Sequence, residues 1–172
     1  MTAEAAKRRF REIVPPYLDD AYRLAKWISG DGADAEDIVQ EAAMRALAAL
    51  EAMTPLKPRP WWLSIVRNTA LSWLQRHRPK TISLVGDDDE TLDVVDLGAD
   101  PEAALIARDE SERVRRAIAS LPSPLRETLV LREIDDLDYR EIAEATQAPI
   151  GTVMSRLSRA RGALVKMLSK TS

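Results

Sequence analysis

Apolar residues recur along this chain at helical spacing, and no stretch of useful length alternates as a half-buried strand would. Residues 2–14 predict a short helix ended by Pro15-Pro16, because proline removes a backbone donor and clashes with the preceding turn. Residues 17–29 place Leu18, Ala21, Leu24, Ala25 and Ile28 on one helical face, and Gly30-Asp31-Gly32 stops that helix. Asp34 then stands as an N-cap, with Glu36 and Asp37 near the positive end of the next helix dipole. That helix, residues 35–53, turns Ile38, Val39, Ala42, Ala43, Leu47 and Leu50 inward and Glu36, Asp37, Gln40, Glu41 and Arg45 outward. Three prolines between Thr54 and Pro60 predict an irregular loop, and Pro60 can open the helix that follows. In residues 61–78 the core-facing set is Leu63, Val66, Ala70, Trp73 and Leu74. Helical spacing returns at Pro101, with Leu105, Val114, Ile118 and Leu121, and again after Pro122-Ser123-Pro124, with Leu125, Leu129, Val130 and Ile134.

The last two elements form a pair. Residues 138–147 read as a short helix whose inward residues are Ile142 and Ala143. After the turn Ala148-Pro149, residues 149–167 put Ile150, Val153, Leu157, Ala160 and Leu164 on one side at about 100° per residue. Ser155, Ser158, Arg159 and Gly162 occupy the other side, flanked by Met154 and Arg156. Two short helices around a tight turn, the second exposing hydroxyls and guanidinium groups, make a helix-turn-helix pattern. The same periodicity also suits an amphipathic helix packed in a bundle with a solvated basic face. A similar pair of readings holds for Trp61, Trp62 and Trp73, which are either core residues or part of a basic, aromatic surface for single-stranded nucleic acid.

Charge bears on that choice. The 172 residues carry a net charge of −3, but its distribution is uneven. Residues 1–80 hold 13 Lys/Arg and 10 Asp/Glu, and residues 106–172 hold 12 and 10. Residues 81–105 hold 8 acids and no base, the composition of a solvated connector. Six bases and no acid lie between Leu56 and Ile82, and five bases and no acid from Ala145 to the end. Two separate all-basic stretches point to two contacts with a polyanion. The chain has no cysteine and one histidine, His77, so thiolate or histidine metal sites and a cofactor are not expected. The charged N-terminus and the lack of a long apolar run predict a cytoplasmic protein without a membrane anchor. With 45% hydrophobic residues and only helical patterns, the expected fold is all-α: two small helical domains joined by the acidic linker, the second containing the helix-turn-helix.

Two blocks carry a resemblance to a known family. The first comprises DAEDIVQEAAMRAL (residues 34–47) and PWWLSIVRNTALSWLQRHRP (residues 60–79). The second is SLPSPLRETLVLREIDDLDYREIAEATQAPIGTVMSRLSRARGAL (residues 120–164). Together, in this order and around an acidic linker, they resemble the extracytoplasmic-function (group IV) sigma factors of bacterial RNA polymerase. The resemblance implies a region 2-like domain at 1–80, a linker at 81–105 and a region 4-like domain at 106–172. It implies that Glu36, Asp37, Gln40 and Glu41 meet the clamp helices of the largest polymerase subunit, with a further contact to the polymerase flap. It implies that Met53 and Asn68 line the pocket for an unpaired −10 base, and that Arg67, Arg76, Arg78 and Lys80 hold phosphates. For the −35 element it implies base contacts by Met154, Ser155, Ser158 and Arg159, with phosphate contacts by Thr152, Arg156 and Arg161. Implied partners are core RNA polymerase, promoter DNA and an anti-sigma factor.

The resemblance implies no enzymatic activity of the chain itself. A stand-alone helix-turn-helix regulator and a sigma-like protein that only sequesters an anti-sigma factor are the rival classes. This chain departs from the family pattern at Gln147-Ala148, where many relatives have glycine in the turn, and at the small residues Ala43 and Ser158. A positive φ at the turn would therefore fall on a residue with a side chain.

Overall fold

The computed structural model describes residues 2–77 and 101–170, and these form eight α-helices and one 3-10 turn. Arg78, Lys80 and the linker residues 81–100 lie outside the described residues. The first half contains α1 (Ala3–Ile13), the 3-10 turn Pro15–Tyr17, α2 (Leu18–Ser29), α3 (Gly32–Ala52) and α4 (Pro58–His77). The second contains α5 (Pro101–Ala119), α6 (Ser123–Glu133), α7 (Tyr139–Thr146) and α8 (Ile150–Ser169).

Local chemistry sets most boundaries. Gly30 takes φ 77°, a left-handed conformation that costs glycine little, and its N–H donates back to the Lys26 carbonyl. The cap of α3 is Asp31 rather than Asp34: its side chain accepts from the N–H groups of Ala33 at 2.7 Å and Asp34 at 3.2 Å. Because Gly30 alone ends α2, the next residue is free to begin α3 three positions earlier than expected. α4 likewise opens at Pro58, not Pro60, leaving a loop of residues 53–57 between α3 and α4. In α7, Asp138 and Glu141 complete a capping box, each side chain accepting the other residue's backbone N–H at 2.8–2.9 Å.

α2, α3 and α4 pack around Leu24, Ile38, Leu50, Trp62, Leu63 and Val66, all fully buried. Trp62 is a core residue, and its indole N–H reaches the Tyr17 carbonyl at 3.4 Å. α6, α7 and α8 enclose Leu131, Leu137, Ile142, Val153 and Leu157. Five apolar positions differ from the periodic expectation: Leu18, Val114, Ile134 and Ile150 are exposed at about two-fifths, and Leu105 is 61% exposed. The exposure in α5 follows from its packing. Its first three turns are largely exposed, and α8 packs on it where Ala117 is buried and Ile118 half-buried.

The two halves do not stand apart. α2 packs on α6 and α4 packs on α7, and one continuous apolar cluster includes residues of both halves. Polar groups reinforce the seam. Arg23 of α2 donates to the Asp135 carboxylate at 3.0 Å, Arg59 of α4 bridges Asp20 and the Asp135 carbonyl, and Arg126 of α6 donates to the Trp27 carbonyl at 3.2 Å.

Candidate nucleic-acid interface

The turn between α7 and α8 forms as a left-handed step at Gln147, φ 54°, with its N–H shared by the carbonyls of Ala143 and Glu144. A residue with a side chain thus occupies the conformation that glycine would adopt more cheaply. α8 then buries Val153, Leu157 and Ala160 and exposes Met154, Ser155, Ser158 and Arg159 along the opposite face. Ser155 orients Arg159: the guanidinium lies 3.3 Å from the Ser155 hydroxyl and 3.5 Å from its carbonyl. A planar donor fork held on an exposed helix face beside hydroxyls and a half-exposed Met154 suits a groove carrying hydrogen-bond acceptors and methyl groups.

The other two arginines of α8 have structural partners. Arg161 pairs with Glu133 of α6 at 2.6 Å and bonds Tyr139 of α7 as well, and these bonds, Glu133 first, raise its pKa further above the usual value. Arg156 is half-buried and close enough to Glu127 to stabilise that carboxylate electrostatically. Thr152, also half-buried, sits in the first turn of α8.

α4 carries the second basic stretch. Arg67 is not free toward solvent: its Nε is 3.0 Å from both carboxylate oxygens of Glu127, across the seam. Asn68 follows it, donating to the Gln147 side chain at 3.4 Å and accepting from Arg67 at 3.4 Å. Glu127 is fully buried, and that burial pushes its pKa up, partly countered by Arg67, Arg156 and Arg126. Arg126 beside it has its pKa lowered by burial, against the pull of Glu127.

Near the end of α4, Arg76 forks onto both oxygens of Glu41 in α3 at 3.0 Å and lies over the Trp73 ring, which stacks on His77 at 4.0 Å. Glu41 also holds Arg45 at 2.6 Å. The structure therefore joins two side chains that the sequence placed on different surfaces. Glu36, Asp37 and Gln40 remain exposed on α3, in line with Met44, which is 74% exposed.

The loop 53–57 is pinned at both ends. Arg9 of α1 donates to Thr54, Pro55 is buried, and Lys57 pairs with Glu144 of α7 at 3.1 Å. Between them Leu56 is 99% exposed, beside the exposed Met53. The sequence reading does not single out Leu56, Lys57 or Arg59, which lie in or beside this loop. Lys57 and Arg59 fall inside the acid-free stretch, the one signal that could have found them, whereas an exposed leucine leaves no mark in periodicity. Among the described residues no cluster of His, Cys, Asp or Glu is arranged to hold a metal ion, and no helix is long and apolar enough to cross a membrane.

Comparison with known proteins covers both halves. Residues 13–80 match the family model for sigma-70 region 2, and residues 111–164 match that for sigma-70 region 4. The ECF RNA polymerase sigma factor SigW of Bacillus subtilis is 32% identical over 165 residues, covering 92% of this chain and 88% of the relative. The RNA polymerase sigma-H factor of Pseudomonas aeruginosa is 36% identical over 170 residues, covering 94% and 87%. Among solved structures, CnrH in complex with the cytosolic domain of CnrY superimposes with a TM-score of 0.69 at 24% identity, covering 99% of this chain and 96% of that one. The sigma factor RpoE of Bartonella quintana, in complex with the anti-sigma factor NepR, gives 0.70 at 23%, covering 96% and 99%. At those identities the two structures establish the fold alone.

Proposed function

The chain belongs to the extracytoplasmic-function RNA polymerase sigma factors of the sigma-70 family, and from that premise we propose how its surfaces divide the work of promoter recognition. It is an alternative sigma factor: it binds core RNA polymerase and directs initiation at promoters with −10 and −35 elements. Residues 1–80 carry polymerase docking and −10 recognition, 81–105 connect, and 106–172 read the −35 element. The observation that carries this reading is the outer face of α8, where Ser155 positions Arg159 opposite a fully buried Val153, Leu157 and Ala160.

In this reading Arg159 makes a bidentate contact to a guanine edge, Met154, Ser155 and Ser158 complete the base-facing row, and Thr152 and the start of α8 meet phosphates. Arg156 and Arg161 take phosphates only by sharing or leaving Glu127 and Glu133. On the other half, Asn68 and Met53 receive an unpaired −10 base and Arg67, Arg76, Arg78 and Lys80 hold the strand. Glu36, Asp37, Gln40 and Glu41 face the polymerase clamp helices, and the second half meets the flap. An anti-sigma factor, like the NepR bound to the Bartonella quintana sigma factor, is the expected regulator.

Run-off transcription with purified core polymerase tests the assignment. Arg159→Ala is expected to lose about 1–3 kcal/mol of −35 discrimination. Unchanged promoter choice in that variant would remove Arg159 from the base-reading role. Duplex binding that needs no polymerase, without promoter-directed transcripts, would instead mark a stand-alone regulator.

A further inference from the structure

Two carboxylates share two arginines where α2 and α4 meet the corner between α6 and α7. Asp135, on that corner, has no exposed side-chain surface, and one of its oxygens accepts from Arg23 of α2 at 3.0 Å. The other, Oδ2, has no hydrogen-bond partner among the described residues. Asp20 of α2 is better served: Arg23 reaches it at 2.6 Å and Arg59 of α4 at 3.0 Å. Arg59 bonds Asp135 at the backbone carbonyl rather than at the carboxylate. Asp135 is thus shut from water with one guanidinium bond, beside a second carboxylate that holds both arginines. We propose that Asp135 is a proton-operated latch between the halves: neutral, it lets α2 and α4 seat on the α6–α7 corner, and ionised, it loosens them.

The argument turns on the difference between joined and parted chains. In the seam an ionised Asp135 has lost its hydration and faces Asp20, and a single arginine bond offsets only part of that cost. Once the halves part, the corner meets water and ionisation costs little. The charged groups facing Asp135 are Arg23 and Asp20 from α2 and Arg59 from α4. On its own segment, Asp136 is exposed and lies 3.9 Å from Arg132, and Arg126 of α6 is engaged with the Trp27 carbonyl. Burial is the largest influence, and it raises the Asp135 pKa to about 6 against the pull of Arg23 and Arg59. Parting therefore releases a proton, so the seam holds best in acid and loosens as pH rises through about 6. The joining equilibrium is expected to weaken about tenfold between roughly pH 5 and 7. Glu127, the other buried acid of the seam, is shifted the same way and needs its own variant. His77, the one histidine, is exposed at the far end of α4 from Arg59.

The chain has no cysteine, so Ala48→Cys in α3 and Lys166→Cys in α8, both exposed, can carry a fluorophore pair. Energy transfer between them reports the separation of the halves. It is followed from about pH 5 to 7.5 at fixed ionic strength, with helical circular dichroism alongside. The full chain is measured as it stands and with Arg126→Ala, which weakens the seam at the Trp27 carbonyl and leaves Asp135 and its partners in place. Transfer is expected to fall with rising pH at constant helicity, most clearly in the Arg126→Ala chain. Asp135→Asn, neutral and of the same shape, is expected to keep transfer high across the range, while Glu127→Gln keeps the transition.

The proposal is overturned if transfer is flat with pH in both chains, or if the transition survives Asp135→Asn. It is overturned equally if helicity falls in step with transfer, because the chain would then be unfolding rather than parting. None of these readouts depends on how the DNA-facing residues are assigned.

Discussion

The guanidinium of Arg67 and the carboxylate of Glu127 are 60 positions apart in the chain and 3.0 Å apart in space. The pair joins α4 to α6, and Glu127 is fully buried where they meet. Arg156 and Arg126 add positive charge around the same carboxylate, so one acid sits among arginines of α4, α6 and α8. Glu127→Ala removes the acceptor and leaves its partners facing a desolvated gap. The expected loss is about 3 kcal/mol of stability, measured by urea unfolding. An unchanged midpoint would mean that the arginines find water or other partners at no cost.

The same seam makes stability depend on acidity. Asp135 has no exposed side-chain surface, and its pKa is raised to about 6, chiefly by burial and also by Asp20, against the lowering effect of Arg23 and Arg59. One carboxylate oxygen, Oδ2, has no hydrogen-bond partner among the described residues. A pKa higher in the folded chain than in the unfolded one means that folding takes up a proton. The contribution is fully present below about pH 4, the ordinary carboxylate value, and is lost as pH rises through about 6. Glu127, also raised, acts in the same direction. The unfolding free energy from urea titrations between pH 4 and 7 should fall with rising pH by an amount on the order of 2 kcal/mol, and Asp135→Asn should flatten most of that slope.

Gln147 offers a test of turn strain. Its φ of 54° costs a residue with a Cβ more than glycine, while its side chain also meets Asn68. Gln147→Gly is expected to stabilise the fold by up to about 1 kcal/mol and so raise the unfolding midpoint, and Gln147→Val to lower it, since a branched side chain fits that conformation worst. Thermal unfolding of the two variants side by side reads the difference; identical midpoints would show that the turn relaxes elsewhere.

Trp62 separates packing from recognition. It is fully buried, with its indole N–H directed to the Tyr17 carbonyl. Trp62→Ala should cost about 3–5 kcal/mol in urea unfolding, the usual cost of emptying so large a core position. A stable variant with weakened single-strand binding would instead place Trp62 on the nucleic-acid surface.

Much of this protein could be read along the chain. Apolar spacing fixed the helices, the inward set Ile38, Ala42 and Leu50 of α3, and the outer face of α8 around Arg159, because a helix's own geometry decides which of its residues share a side. Motif order and the acidic connector carried the resemblance to sigma factors, which the region 2 and region 4 matches bear out. Periodicity says nothing, however, about which helix meets which, or whether a face is covered at all. Leu105 and Val114 lie on an apolar stripe left partly exposed among the described residues, and Ile150, at the start of its helix, is exposed as well. Asp31 rather than Asp34 caps α3 because the preceding glycine ended α2 by itself. Most of all, ion pairs bridging distant segments, Arg76 with Glu41 and Arg67 with Glu127, exist only once the chain is folded. Sequence supplied the charges; tertiary packing decided that each would face the other before it could face DNA or polymerase.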